Sequence, residues 1–367
     1  MKRLYLIYMI ILTVTISCSK GEVNQSDRVA ILLETNKPEW NNSRSASYTG
    51  DAGANPIPDM VVYGYYTHDI KWSEERYTAF PSFMNGVVAT NNQGVWGYSP
   101  IKYFYHTGNH SFFTLAPYSI INADARNVFE ISNILGTPQL IYNLPNEEID
   151  QVDILYGAAI DKTNDDGQNP ININFVHATT QIVFSAGYAN GYISSTNEEV
   201  KIKSISISNI YSQGKLKSKY DSNGEYDGII WDEHDILREQ TVSIGDNTLK
   251  DTHLSETIDK ISTDNGALFL IPQQLTGRNV VDRSSILILY EINKSGISTD
   301  YTQTIELAGI IGELIAGQKL NFRISYSGSG TDIEVKLVDP GSGDPGNLGP
   351  PLGQSIVEHN NKHVQTK

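Results

Sequence analysis

The sequence predicts an all-β protein, and three observations carry that expectation. Segments of about four to eight residues alternate between apolar and polar side chains, clusters of Gly, Asn, Asp and Ser separate them, and helical spacing is confined to a few short stretches. The 21 tyrosines within a 10% aromatic content supply side chains that suit a pleated, half-buried surface.

The elements follow in chain order. Strands are expected at Val29 to Thr35, Met60 to Tyr66, Ser111 to Ala116, Ile171 to Phe175, Thr180 to Ala186, Val200 to Ile210, Leu268 to Ile271, Ser285 to Ile292 and Tyr301 to Leu307. In Val200 to Ile210 the apolar phase changes between Ile202 and Ile205, which predicts a β-bulge. Ile286 to Leu289 is continuously apolar and reads as a strand buried on both sides. The clearest alternation sets Leu320, Phe322, Ile324 and Tyr326 against Asn321, Arg323 and Ser325, and resumes after Ser327-Gly328-Ser329-Gly330 as Ile333, Val335 and Leu337, a hairpin with one buried face. Helices are expected only at Asn127 to Leu135 and at Asn146 to Asp153.

Lys2 and Arg3, the apolar run Leu4 to Ile16 and the small residue Ser17 before Cys18 have the form of an export signal. That run falls short of the ~20 residues that cross a bilayer as a helix. Cys18 is the one cysteine of the chain, so a disulfide framework has no partner thiol. Thr15-Ile16-Ser17-Cys18 resembles a bacterial lipoprotein signal, which implies cleavage before Cys18 and lipidation of its thiol; Thr15 departs from the Leu or Val of that pattern. Two or more acyl chains anchor stably where one is marginal.

Loss of residues 1–17 removes two cations and moves the formal charge from −15 to −17, and with no basic cluster in view nucleic acid is excluded as a partner. The remaining ~350 residues suit two domains better than one core. The expected division is a signal segment 1–17, a first domain 18–170, a second domain 171–338 after the polar run Asp161 to Asn169, and a Pro/Gly-rich tail 339–367 without core residues.

His106 and His110 have the spacing of two ligands on a helix, but the aromatic residues around them and the strand that follows remove the helix. Trp231-Asp232-Glu233-His234-Asp235 clusters carboxylates with an imidazole, yet consecutive side chains diverge, and a solvated loop is the favoured reading. Asp161 to Gly167 looks like a calcium loop, but Lys162 stands where the first aspartate belongs and the closing glutamate is missing, leaving a turn. There is no Gly-x-Ser-x-Gly elbow. The expectation is therefore no enzyme, no metal and no cofactor. The aromatic stretches Tyr63 to Tyr66 and Tyr98 to Tyr105 could stack on sugar rings or fill a β core, and the core is favoured.

Several motifs fall in a familiar order: Val29 to Thr35, Asn42-Ser43-Arg44-Ser45-Ala46, Gly94-Val95-Trp96-Gly97-Tyr98, Lys102-Tyr103-Phe104, His110 to Tyr118, Asn174-Phe175-Val176-His177-Ala178, Leu270-Ile271-Pro272-Gln273 and Ala316-Gly317-Gln318-Lys319-Leu320. This order resembles the fimbrillin-like lipoproteins that build type V pili. The resemblance implies two tandem transthyretin-like Greek-key β-sandwich domains, and makes His177 a core or domain-start residue rather than a ligand. It also implies an outer-membrane lipid anchor at Cys18, cell-surface location in a fimbrium, and assembly with other pilus subunits by strand exchange. In that family a trypsin-like protease cuts after an arginine and the first strand departs; Arg44 is the match here, with Arg28 the runner-up, because Lys37 to Tyr48 is polar, contains Pro38 and reads as an exposed loop. The Pro/Gly spacer before the tail points to an accessory or tip subunit. The contending reading is a monomeric surface lipoprotein that binds glycan, and a pilus subunit could itself meet a host or bacterial surface glycan or protein.

Overall fold

The structure is a computed structural model that describes residues 29–36, 38, 57–130, 135–189, 197–242, 244, 248–249, 267–328 and 333–338. Cys18, Arg28, Arg44 and the tail 339–367 lie outside the described residues. In chain order the strands of the first half are β1 (Leu33–Thr35), β2 (Asp59–Tyr66), β3 (Met84–Asn92), β4 (Val95–Gly97), β5 (His110–Ala116), β6 (Val128–Glu130), β7 (Gln139–Asn143) and β8 (Leu155–Lys162). They continue as β9 (Ile171–His177), β10 (Thr180–Tyr188), β11 (Glu198–Tyr220), β12 (Tyr226–Val242), β13 (Leu268–Leu270), β14 (Gln273–Gln274), β15 (Ser285–Lys294), β16 (Ile297–Glu306), β17 (Glu313–Leu314), β18 (Lys319–Tyr326) and β19 (Ile333–Val338). Among the described residues helix is limited to α1 (Trp72–Glu75), α2 (Tyr118–Ala123) and short 3-10 turns.

The largest sheet has the order β1-β9-β8-β5-β2-β3-β4 and is antiparallel except where β1 runs parallel to β9. Side-chain alternation gives it two apolar faces. Met60, Val62, Phe112, Ala116, Ile171 and Ile173 gather on one core, while Val61, Tyr63, Tyr65, Phe113 and Leu115 join another. That second core runs on without a break into the 4-stranded sheet β13-β10-β18-β19 and the 6-stranded sheet β16-β15-β11-β7-β6.

The length of β11 explains this continuity. Its first half pairs with β15, from Glu198↔Lys294 to Ser208↔Ser285, and its second half with β7, from Gln213↔Asn143 to Leu216↔Leu140. The far end, with β12, lies over the large sheet, where Tyr156 Oη meets Ser218 Oγ at 2.8 Å and Tyr226 rests edge-on against Phe113. Across residue 170 the chain turns within one sheet: β9 pairs with β8 and β1, and β6 and β7, from before that point, pair into the sheet of β11.

Period-2 reading holds where one face is buried. β18 and β19 form the expected hairpin, with Tyr326 opposite Ile333 and Leu320, Phe322, Ile324 and Tyr326 buried. The expected bulge falls between Ile202 and Ser204. Three expectations are corrected. Val128–Glu130, placed in a helix by the sequence, is strand β6, because Val128 and Phe129 take ladder partners Ile141 and Leu140 on β7, and pairing overrides a weak helical preference. Asn146 to Asp153 holds only the 3-10 turn Glu148–Asp150. In β15, Ile286 and Ile288 are buried but Leu287 and Leu289 only half so, since β15 has a covered face and a partly open one.

Candidate functional site

The segment Val29 to Asn36 occupies a slot in the large sheet, held on both sides. On one side β1 pairs with β9, Leu33 opposite Ile171, and Ile171 N donates to Leu32 O at 2.7 Å. On the other, Ile31 N donates to Lys102 O at 2.9 Å and Phe104 N to Val29 O at 3.0 Å, while Ala30 bridges to Tyr103. The alternation is strict: Ile31 and Leu33 are 0% and 5% exposed, and Leu32 between them is 52% exposed. Full burial of one such side chain stabilises by about 1.5–3 kcal/mol. The two apolar plugs therefore supply most of the side-chain hold on this segment.

Two polar contacts set the register. Tyr98 Oη donates to Ile31 O at 2.7 Å from a buried position, and burial pushes that phenol up, so it stays a donor. Beyond β1 the Asn36 amide replaces a backbone pair: Oδ1 accepts from Phe175 N at 2.6 Å and Nδ2 donates to Phe175 O at 3.3 Å, extending the ladder by one side chain. Gly157 on β8 leaves room for the slot wall. A Cβ there would sit 2.5 Å from Ile173 Cγ2, 2.6 Å from Thr114 Oγ1 and 2.9 Å from Phe175 Cδ1, so any side chain would displace residues of β9 that hold the segment. Pro38, expected in an exposed loop, is buried.

The candidate ligands do not converge. His106 is exposed whereas His110 is fully buried among rings, so the pair is not brought together. His177 Nδ1 lies 2.7 Å from Asp153 Oδ2 inside the protein, a structural pair. Asp161 accepts from Trp72 N at 2.9 Å, and Thr163 with Asp166 forms a capping box on the 3-10 turn Asn164–Gln168. Trp231 to Asp235 is not a solvated loop but part of β12, a correction whose cause is cross-strand pairing: Asp232 bonds Lys217, Glu233 lies 3.0 Å from Lys215, and His234 Nε2 contacts Pro272 O at 2.7 Å. Positive φ at Glu233 and Ile236 breaks the alternation that would have marked a strand. Among the described residues no three His, Cys, Asp or Glu side chains are grouped to hold a metal. Tyr63, Tyr65, Tyr98 and Phe104 sit in the core, which takes most of the sugar-stacking candidates off the surface.

The fimbrillin-like family pattern matches residues 65–339. The chain belongs to the fimbrillin-like family. The match begins at Tyr65, so the slot segment of this fimbrillin-like chain lies ahead of it. The chain is 24% identical over 188 residues to the fimbrium subunit Fim1C of Phocaeicola vulgatus, a stretch covering 47% of this chain and 48% of that protein, so it spans about half the length of its curated relative. A fimbrial protein from Bacteroides vulgatus known from its crystal structure superposes with a TM-score of 0.58 at 18% identity, covering 85% of this chain and 98% of the other, a likeness of fold.

Proposed function

We propose that this fimbrillin-like chain is a structural and adhesive subunit of a bacterial surface pilus, in an accessory or tip position, that assembles by proteolysis-triggered strand exchange. The observation that supports this most is the seating of Val29 to Asn36, a short strand held by backbone bonds on both flanks and by two apolar plugs, which is the part that strand exchange would remove. Its departure would bare unpaired backbone groups along β9 together with an apolar trough, an edge that accepts a strand from a neighbour. Kinship with a fimbrium subunit and the fold of a fimbrial protein agree with the reading. The organisation proposed is two transthyretin-like Greek-key sandwich units, the first drawing β9 from beyond residue 170 and the second drawing β6 and β7 from before it. The mature chain is proposed to sit on the outer membrane through lipid on Cys18 and to meet other pilus subunits through the slot.

Limited trypsin treatment tests the mechanism. Cleavage after Arg44 is expected first, and the cut protein should then form detergent-resistant ladders, whereas Arg44→Ala stays monomeric under the same treatment; equal assembly by both proteins removes the mechanism. The anchor has its own test. Cys18→Ala is expected to fractionate as a soluble protein, and retention of that variant in the outer-membrane fraction would refute lipidation.

A further inference from the structure

His110 opens β5 and is fully buried, its ring enclosed by Tyr66 at 4.9 Å, Phe83 at 4.9 Å, Phe104 at 5.0 Å and Tyr105 at 5.7 Å between centroids. Two of those rings belong to the segment that clasps the slot strand, since Phe104 N holds Val29 O and the neighbouring Lys102 O receives Ile31 N. The box is thus the rear wall of the clasp. We propose that His110 makes this clasp acid-labile, so that protonation of its imidazole frees Val29 to Asn36 from the 102–104 segment before the rest of the fold yields. The release of that strand matters for assembly only under the strand-exchange reading, but the lability itself is a property of the uncleaved chain.

The surroundings offer a cation little. From β2 comes the Tyr66 ring, with the His68 ring tilted against it at 4.4 Å between centroids. Ahead of β3 comes Phe83, with Lys102 Nζ 5.9 Å from its centroid. The clasp contributes Phe104 and the Tyr105 phenol, and β8 contributes Lys162, the cross-strand partner of His110. The nearby Asp161 carboxylate is engaged with Trp72 N. Aromatic faces attract cations, and against that stands desolvation. Burial is the larger influence and pushes the imidazole down to about 4, with the Lys162 backbone acting the other way. The sign follows. A histidine whose pKa is lower in the closed form binds its proton preferentially when open, so opening is unaffected above pH ~6.5 and grows about tenfold per pH unit below it, until the closed form also titrates.

Amide exchange on the uncleaved protein reads this directly. Protection of the Ile31 and Phe104 amides, corrected for intrinsic exchange, is expected to fall about 15-fold between pH 6.5 and pH 5.0, while the Leu216 and Leu140 amides in the β11/β7 ladder keep theirs. His110→Phe should make the Ile31 and Phe104 protection flat with pH, and His110→Gln, a polar ring-free replacement that does not titrate, should do the same if the phenylalanine does not fold. A wild-type protection constant with pH, an equal fall in both variants, or a fall of the same size across β7 and β11 would overturn the proposal. Failure of Arg44-dependent assembly would remove strand exchange and leave this result standing.

Discussion

Ile31→Ala is expected to destabilise the uncleaved protein by about 2–5 kcal/mol in urea unfolding, while Leu32→Ala, one residue away, should change stability by less than about 0.5 kcal/mol. The contrast follows from the slot. Ile31 is fully buried in the core that includes Met60, Val62, Phe112 and Ile173, so truncation leaves a cavity as well as losing transfer energy. Leu32 faces out of the sheet, where the aliphatic side chain gains little on folding. Because Ile31 backbone groups also bond Lys102 and Tyr98, the variant should expose the strand to protease earlier than the wild type does. Equal stability of the two alanine variants would mean that the segment does not dock as the slot requires.

The same slot shows how far the sequence was legible. Strand character in Val29 to Thr35 could be read from its composition, but Ala30-Ile31-Leu32-Leu33 is continuously apolar, so which residues point inward was hidden. The Asn36 amide that continues the ladder has the ordinary look of a polar residue after a strand, and Tyr98 lies 67 residues from the carbonyl that it holds. β18 and β19 were readable because the apolar residues of β18 share one buried face, although Arg323 on the opposite face is buried too, which the alternation did not show. β10 was read as a strand, but burial along its whole length comes from neighbours on both faces, which period alone does not reveal. β12 escaped because its phase breaks at Glu233 and Ile236 and because its charges are matched by lysines on β11, information that exists only across the pair.

Asp153→Ala is expected to cost about 3–5 kcal/mol, and Asp153→Asn about 1–2 kcal/mol. Asp153 precedes β8 and His177 ends β9, a separation of 24 residues closed by the β8/β9 hairpin, and both side chains are inaccessible to water. Burial pushes the Asp153 carboxyl up, opposed by His177 and by Thr179, whose hydroxyl donates to Oδ1 at 3.4 Å. The place is mechanically important. At Ala178 and Thr179 the chain leaves the large sheet for β10, with Ala178 N donating to Ile154 O, Trp231 Nε1 donating to Ala178 O at 2.6 Å, and Gly317 N donating to Thr179 O. Asp153 is therefore a pin between the large sheet and the strands that follow. Alanine removes the acceptor and leaves buried polar groups without it, a loss that water cannot make good in a closed site. Asparagine presents one amide oxygen to His177 Nδ1 in nearly the same volume, so most of the pin survives. Chemical denaturation of the three proteins at neutral pH checks the order, and an alanine variant within about 1 kcal/mol of the wild type would show that the junction is held by its backbone bonds and by Trp231 alone.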